Sequence, residues 1–319
     1  MSCQGANTML VTILVNNYNY ASFLRRAIDS ALSQNYSDVQ VVVVDDGSND
    51  GSREIIAGYG KKITPILKAN GGQSSAFNAG FEACQGELIC FLDADDEFLP
   101  EKVQRVVDQF RELPNVWYFH QLQFVDKSSQ PLGGSPVSRH RTGKHDFRAD
   151  FIRGKDKFWM PATSGLSFSR HLLSRLLPMP DNIRITSDNY LKFSAIAMTP
   201  GVFMAERLSL QRIHGNNAYT LKYDPRLRAE TNIVTGKAIS AQHPELRPIG
   251  NRLVAKGLGA KYRAGGGREE IRRELSQYVA SLPLREKFDV YLRLLYNALL
   301  PSKMVESNTS LASLQSRAL

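Results

Sequence analysis

Val41-Val42-Val43-Val44 precedes Asp45-Asp46-Gly47-Ser48, and Leu88-Ile89-Cys90-Phe91-Leu92 precedes Asp93-Ala94-Asp95-Asp96. Continuous apolar runs of this length are typical of strands buried on both faces, as in a parallel sheet. The acids that follow then lie at the carboxyl edge of the sheet, where open α/β folds bind ligands. Neighbouring carboxylates need a cation, a hydrogen-bond donor or a raised pKa to share a site. The pattern therefore predicts an enzyme that holds a divalent cation and a phosphorylated ligand.

Around these runs, the first hundred residues alternate predicted strands and helices. Val11–Val15 reads as a strand, and the next segment repeats apolar residues at the spacing of one helical face: Leu24, Ala27, Ile28, Ala31 and Leu32. The further predicted elements are strand Val41–Val44, helix Ser52–Ala57 with Asp50 as its N-cap, strand Lys62–Leu67, helix Ser74–Ala83, strand Leu88–Leu92 and a helix beginning at Pro100. This alternation implies a parallel sheet covered by helices.

The pattern changes after Pro114. Short strands are predicted over Val116–His120, Leu122–Val125, Leu166–Ser169, Val202–Ala205 and Leu208–Ile213, and helices over His171–Leu177 and Ser187–Met198. From Asp224 onward the pattern is helical with glycine breaks. We therefore predict a catalytic domain over residues 1–223 and a basic helical region over residues 224–319.

Composition limits the classes of protein that fit. The 319 residues are 42% hydrophobic and carry a formal net charge of +9. No apolar stretch approaches the roughly 20 residues of a membrane span, and no secretory signal is evident. The three cysteines have no zinc-site spacing, which is consistent with reduced thiols. We expect a cytoplasmic protein, with peripheral contact at the cytoplasmic face of the membrane left open for the basic C-terminal region.

Six short motifs, in this order along the chain, resemble glycosyltransferase family 2, whose members have the GT-A fold. They are Val11-Thr12-Ile13-Leu14-Val15-Asn16-Asn17-Tyr18-Asn19, Val44-Asp45-Asp46-Gly47-Ser48, Asn70-Gly71-Gly72 through Asn78-Ala79-Gly80, Phe91-Leu92-Asp93-Ala94-Asp95-Asp96, Thr186-Ser187-Asp188-Asn189-Tyr190-Leu191 and Arg212-Ile213-His214-Gly215-Asn216-Asn217. The resemblance extends from Val11 to about Tyr219. It implies an α/β, Rossmann-like mixed sheet flanked by helices, with a helical C-terminal extension.

The same resemblance implies an activity. It is the metal-dependent, inverting transfer of a sugar from a nucleoside-diphosphate sugar to a hydroxyl of a saccharide or lipid-linked acceptor. The setting it suggests is the biosynthesis of surface polysaccharide or another glycan.

The residues predicted to bind the donor are Asn16, Tyr18, Asp46, Gly72 and Asp93. Tyr18 ends a predicted strand, where its ring can stack on a base, and the resemblance implies this role with Asn16 beside it. Asp46 is suited to accept the imide N–H of uracil or thymine, which favours a UDP- or dTDP-linked sugar. A simple Asp-Gly-Ser turn is the alternative. Gly72 opens a helix whose amides can approach a diphosphate, and an ordinary turn is the alternative that two adjacent glycines by themselves favour.

The resemblance also implies which residues bind the metal and which one is the catalytic base. Asp93 is expected to meet the ribose, and Asp95 to coordinate Mn²⁺ or Mg²⁺, cations that prefer oxygen ligands. His214 is expected to contact the metal or the leaving diphosphate, with a purely structural histidine as the alternative. Asp188 is expected to deprotonate the attacking hydroxyl. Ser187 stands where the family usually has a glutamate.

Three other classes were weighed against this interpretation. A nucleotidyltransferase is expected to have a glycine-rich basic loop after the first strand, whereas this chain has Asn16-Asn17-Tyr18-Asn19. A nucleic-acid-binding module is suggested by charge alone, because no RNP, helix-turn-helix or zinc pattern is present. A non-catalytic sugar-binding domain is disfavoured because the acids that the chemistry requires are present.

The regions outside the six motifs allow several interpretations. The basic segment 138–145 either holds an acceptor phosphate or is solvated, and Trp159 either lines the acceptor cleft or lies in the core. The helix predicted over Leu284–Leu300 has one apolar face: Leu284, Phe288, Tyr291, Leu292, Leu295 and Leu299. This face is predicted to pack on the catalytic domain or on a second copy in a homodimer, and a membrane surface is the alternative.

Overall fold

The computed structural model describes residues 9–155, 160–215, 217 and 224–299. These residues form nine strands: β1 Val11–Asn17, β2 Val39–Asp45, β3 Thr64–Leu67, β4 Leu88–Asp93, β5 Glu97–Phe98, β6 Trp117–Val125, β7 Gly143–His145, β8 Leu166–Ser169 and β9 Gly201–Arg212. The helices among them are α1 Ala21–Leu32, α2 Ser52–Ala57, α3 Gln73–Ala83, α4 Lys102–Glu112, α5 Arg148–Ile152, α6 Arg170–Leu176, α7 Ser187–Met198, α8 Pro225–Gln242, α9 Arg247–Arg263, α10 Arg268–Val279 and α11 Leu284–Leu299. Trp159 and Tyr219 lie outside the described residues.

The strands form one mixed sheet in the order β3-β2-β1-β4-β8-β6-β9-β5, and β7 pairs with β9. β1 to β4 are mutually parallel, whereas β8 is antiparallel to β4 and to β6. The parallel half is made of the apolar runs that the sequence predicted as strands. Because its strands point the same way, their carboxyl ends meet at one edge.

Helices cover both faces of the sheet. α1 buries Leu24, Ala27, Ile28 and Ala31 against one face, together with apolar side chains of α2 and α4. Leu32, which was predicted to share this buried stripe, is 39% exposed. α3, α6 and α7 pack on the opposite face. The fold class predicted from the sequence is confirmed.

Four predicted strands merge into two long ones. The segments Val116–His120 and Leu122–Val125 belong to β6 apart from Val116, and Val202–Ala205 and Leu208–Ile213 belong to β9 apart from Ile213. The pairing of β6 with β9 shifts register on both sides of Gln121. This irregularity interrupts the alternation of the side chains, which is why the sequence indicated a break.

Two predicted helix starts were wrong. α4 begins at Lys102, and Pro100 lies in the turn before it. The N-cap position of α2 is Gly51 rather than Asp50. Asp50 nevertheless supports this helix, because its Oδ1 accepts hydrogen bonds from the amide and the hydroxyl of Ser52.

The C-terminal helices continue the core of the sheet. Apolar residues of α8 and α9 share a cluster with α3, α6 and α7, and α10 and α11 add a second cluster against α8 and α9. The predicted boundary between residues 223 and 224 falls where the described residues resume, so the division into two domains stays a prediction. No helix in the described ranges combines the length and the apolar character that a membrane crossing requires.

One face of α11 is uncovered. We define the α11 face by its large apolar side chains, which are 47–84% exposed: Leu284, Phe288, Tyr291, Leu292, Leu295, Tyr296 and Leu299. The prediction that this face packs on the catalytic domain is therefore wrong for the described residues. Packing on a second copy or on a membrane is not tested by this observation.

Candidate active site

The carboxyl ends of β1, β2 and β4 form one side of a cavity of about 660 Å³. Asn16 of β1 is in register with Val44 of β2 and with Asp93 of β4, so the residues that follow each strand emerge at one level. Seven of the eight predicted site residues line this cavity: Asn16, Tyr18, Asp46, Gly72, Asp93, Asp95 and Asp188. The eighth, His214, contacts the side chain of Asp95.

Three carboxylates converge at the end of β4. One oxygen of each of Asp93, Asp95 and Asp96 lies within 4.8 Å of the others, an arrangement that can hold a metal ion. Burial, together with the charges of Asp95 and Asp188, raises the pKa of Asp93 to about 8. Burial also raises the pKa of Asp96 well above its usual range, again assisted by Asp95. The cluster concentrates negative charge in a place where a divalent cation would relieve it.

Asp96 is held from the side away from the cavity. Its Oδ2 accepts a hydrogen bond from Ser164 Oγ at 2.6 Å, and its Oδ1 accepts one from the amide of Arg212 at 2.8 Å. The guanidinium of Arg212 donates to the carbonyl of Asp95 and forms an ion pair with Glu97. Because Arg212 is fully buried, it fixes the backbone of the acidic loop rather than facing a ligand.

Asp95 and His214 form a buried pair. His214 Nε2 lies 3.0 Å from Asp95 Oδ2, and the Asn217 amide donates to the same oxygen at 3.2 Å. The ring of Phe23 stacks on the His214 imidazole with centroids 4.7 Å apart. His214 is therefore placed to orient the Asp95 carboxylate through its Oδ2.

Asp46 is enclosed by the loop that precedes α3. Its carboxylate accepts hydrogen bonds from Lys68 Nζ at 2.7 Å, the Gly71 amide at 2.9 Å and the Gly72 amide at 2.7 Å. The Gly72 amide thus has a partner within the protein, and its predicted contact with a diphosphate stays a prediction. Gly72 has φ of +90°, and a Cβ there would lie 2.8 Å from Arg184 Cα. This position admits glycine because of both its conformation and its close neighbour.

Tyr18 and Asn16 occupy the part of the cavity rim next to β1. Tyr18 is 47% exposed although Asn17, the residue before it, is fully buried. An exposed aromatic ring at the rim of a cavity is available to a flat ligand. The Asn16 side chain hydrogen-bonds to Asp93, and its carbonyl accepts the amide of Ala94 at 3.1 Å. Asn16 therefore links β1 to the acidic loop.

Asp188 lies in the first turn of α7 and is 8% exposed. Its Oδ2 forms an ion pair with Lys192 Nζ at 2.7 Å, one helical turn along. Lys192 also donates to the carbonyl of Pro161 at 3.0 Å. Ser187, which replaces the family glutamate, is fully buried and donates its hydroxyl to the carbonyl of Ile183. Among the described contacts, Asp188 Oδ1 has no ion-pair or hydrogen-bond partner.

A bridge joins the loop around Asp46 to the start of α7. The amide of Gln73 donates to the carbonyl of Arg184 at 2.9 Å. The side-chain oxygen of Gln73 accepts the amide of Ser187 at 2.8 Å. The residue after Gly72 is therefore bonded to the residue before Asp188.

These features match a known family. The family model for glycosyl transferase family 2 covers residues 12–175, which is half of the chain. An uncharacterized glycosyltransferase of Nostoc sp. is 34% identical over 258 residues, covering 79% of this chain and 78% of the relative. The chain belongs to glycosyltransferase family 2. It is a glycosyltransferase, and the resemblance recognised in the sequence is confirmed.

Further similarities agree with this assignment. The uncharacterized glycosyltransferase EpsJ of Bacillus subtilis is 42% identical over 103 residues, covering 31% of this chain and 30% of the relative. Crystal structures of S. aureus TarS 1–349 in complex with UDP-GlcNAc and with UDP align with TM-scores of 0.65 and 0.62. Each alignment covers 91% of this chain and 89% of that one at 15% identity. At such low identity these structures support the GT-A fold alone.

Several residues of the site were not predicted from the sequence. Lys192 follows Asp188 by four positions, a spacing that signals a helical ion pair. Arg212 is the last residue of β9, a strand that also holds Glu206 and Arg207, so the sequence does not single it out as a buried contact. Ser164 and Lys68 have no comparable signal, since only the folded chain brings them to Asp96 and Asp46.

Proposed function

We propose that this glycosyltransferase transfers a sugar from a UDP- or dTDP-linked donor to an acceptor hydroxyl, with inversion at the anomeric carbon and with a bound divalent cation. The observation that carries this proposal is the single cavity shared by Tyr18, Asp46, the acidic cluster and Asp188. These residues supply, in one space, an aromatic surface, an acceptor for a base N–H, oxygen ligands and a proton acceptor.

The nucleobase of the donor is assigned to the end of the cavity next to β1 and β2. Tyr18 offers a half-exposed ring, and stacking on such a ring contributes about 1–3 kcal/mol. Asp46 Oδ2 accepts one amide, that of Gly72, and a carboxylate oxygen has a second lone pair. That lone pair can accept the imide N–H of uracil or thymine, which cytosine lacks. The TarS crystals with UDP and UDP-GlcNAc support a uracil base for a protein of this fold.

The cation is assigned to the carboxylates of Asp93, Asp95 and Asp96. Their oxygens are hard ligands that suit Mn²⁺ or Mg²⁺, and their close approach favours a bound cation. When bound, such a cation neutralises charge on the diphosphate of the donor. In this proposal Asp93 also contacts the ribose, and His214 holds Asp95 or meets the diphosphate.

The proton acceptor in the proposal is Asp188. The acceptor oxygen forms a bond to the anomeric carbon while the bond from that carbon to the diphosphate oxygen breaks. The hydroxyl proton passes to the carboxylate of Asp188. Lys192 occupies one oxygen and leaves the other for the hydroxyl. A single displacement of this kind inverts the configuration, by the same logic as in inverting glycosidases.

The acceptor is proposed to be a saccharide or lipid-linked hydroxyl that enters along residues 161–163. Ala162 and Thr163 line the same cavity as Asp188. Lys192 ties the carbonyl of Pro161 to α7, which keeps this segment at a fixed distance from the proposed base. A surface glycan is the product class that we propose.

Asp188→Asn tests the assignment of Asp188 as the catalytic base. Sugar transfer should fall by at least about a hundredfold, while calorimetry with Mn²⁺ should give a donor affinity close to wild type. Asp150→Asn is the matched control, because Asp150 is exposed and lies outside the cavity. Transfer by Asp188→Asn at the wild-type rate would refute the role of Asp188.

Asp95→Ala tests the cation separately. Donor affinity in wild type should depend on Mn²⁺ or Mg²⁺ and should drop after chelation with EDTA. In Asp95→Ala that dependence should disappear. An unchanged dependence on the cation would contradict the assignment of Asp95, whatever the result for Asp188.

A further inference from the structure

The α11 face is fixed in its outward orientation. α11 packs on α9 through Val290, which is fully buried, and through Leu294. At Gly259 of α9, a Cβ would lie only 2.5 Å from the Cβ of Asn297. Such a close approach leaves α11 little freedom to rotate about its axis. The α11 face therefore points away from the body of the protein.

The size of the α11 face exceeds that of an ordinary surface patch. Seven of the thirteen exposed large hydrophobic side chains in the described part of the chain belong to this one helix. With side chains of roughly 150–250 Å² each, about two thirds exposed, the face presents on the order of 800 Å². The largest patch on a typical monomer is about 300–600 Å². A standard protein interface covers about 800 Å² on each partner.

The spacing along α11 matches a helical partner. Leu284, Phe288, Tyr291, Leu295 and Ala298 follow one another at intervals of four, three, four and three residues. These intervals define the seam of a coiled coil, in which the side chains of one helix fit between those of another. Two-fold symmetry supplies such a helix from an identical chain, because one surface then serves both partners.

The charges of α11 favour a protein partner over a lipid surface. The helix has three basic and two acidic side chains, and a helix that binds anionic lipid usually has a polar face rich in Lys and Arg. Arg293 is paired with Asp289 at 2.7 Å, and Glu286 accepts a hydrogen bond from Asn251. α11 itself therefore carries a net charge of only +1.

We propose that the α11 face is the contact of a homodimer, in which α11 of one copy packs against α11 of a second copy. The two helices bury Phe288 and Leu295 at the centre of the seam. The contact is independent of the donor and acceptor sites, since no residue of α11 lines the cavity.

The test uses the full chain and sedimentation velocity across a concentration series. Wild type should sediment with twice the mass of one chain. The double variant Phe288→Asp/Leu295→Asp should associate at least about a hundredfold more weakly. Both side chains are more than half exposed in the single chain, so the variant should fold, which circular dichroism checks. Val137→Asp is the matched control, because Val137 is 64% exposed on another part of the chain, and it should remain dimeric.

Four results would overturn the proposal. A wild type that stays monomeric throughout the series would exclude the dimer, as would a double variant that still dimerises. Flotation of a monomeric wild type with phosphatidylglycerol vesicles, lost in the double variant, would assign the face to a bilayer instead. A monomer that dimerises only after deletion of residues 301–319 would assign the face to that segment of the chain.

Discussion

Replacing Lys192 by Met removes the only cation that contacts Asp188 within hydrogen-bonding distance among the described residues. The two charges are 2.7 Å apart, and both residues are less than one tenth exposed. At an effective dielectric constant of about 20, their attraction is about 6 kcal/mol. Desolvation opposes this term, and the loss of one partner from a buried pair costs about 3–5 kcal/mol. We expect Lys192→Met to lower the free energy of unfolding by that amount.

The assay is urea unfolding of a double-mutant cycle. Asp188→Asn combined with Lys192→Met removes both charges, so the double variant should lose less stability than the sum of the single losses. We expect a coupling energy of at least about 1.5 kcal/mol. Lys256→Met is the control, because Lys256 is exposed on α9 and its loss should cost no more than about 0.5 kcal/mol.

The same variant also tests the geometry of catalysis. Without Lys192 the Asp188 carboxylate is free to rotate, and kcat should fall by about 10- to 100-fold while the KM for the donor stays near wild type. Stability losses that add within about 0.5 kcal/mol would show that the two side chains do not interact. In that case our account of how Asp188 is oriented would be refuted.

Three further perturbations test separate parts of the structure. Tyr18→Ala should weaken donor binding by about 5- to 150-fold in calorimetry, whereas Tyr18→Phe should bind the donor like wild type. Equal affinities of wild type and both variants would exclude a stacking role for Tyr18. Gly72→Ala should lower the free energy of unfolding by about 1–3 kcal/mol and weaken UDP binding. The loss of stability should exceed that of Gly265→Ala, because Gly265 has a similar positive φ but no atom within 4 Å of an added Cβ. Burial lowers the pKa of His120 to about 3 from 6.5, so between these pH values the unfolded chain binds a proton that the folded chain does not. The contribution of His120 to the free energy of unfolding is therefore full above pH 6.5 and falls by about 2–3 kcal/mol at pH 4.5. The difference in stability between wild type and His120→Asn should change by this amount between pH 7 and pH 4.5. A constant difference would contradict the reasoning.

The sequence predicted the parts of the fold that local patterns determine. The apolar runs before Asp45 and Asp93 became parallel strands because such runs are stable only when both faces are buried. Ser187–Met198 was predicted with its observed limits. The positions of the acids after the strands then followed from strand direction alone, which is why seven predicted residues line one cavity.

The remaining features depend on contacts between distant segments. The irregular register at Gln121 arises from pairing with β9, and no local pattern distinguishes it from a turn. The amide of Gly72 donates to Asp46, a residue 26 positions away, and the start of the helix gave no sign of this partner. The apolar stripe of α11 was visible in the sequence. Its exposure was not, because amphipathic spacing does not identify what covers the apolar side.

Gln73 gives the two halves of the reaction a common mechanical support. Its hydrogen bonds connect the segment that encloses Asp46 with the first residue of α7, next to Asp188. In the proposed mechanism Asp46 selects the nucleobase and Asp188 accepts the proton, so a substitution that changes the first function should also disturb the second. Altering the preferred nucleotide without losing turnover would then require compensating changes on both sides of this tether.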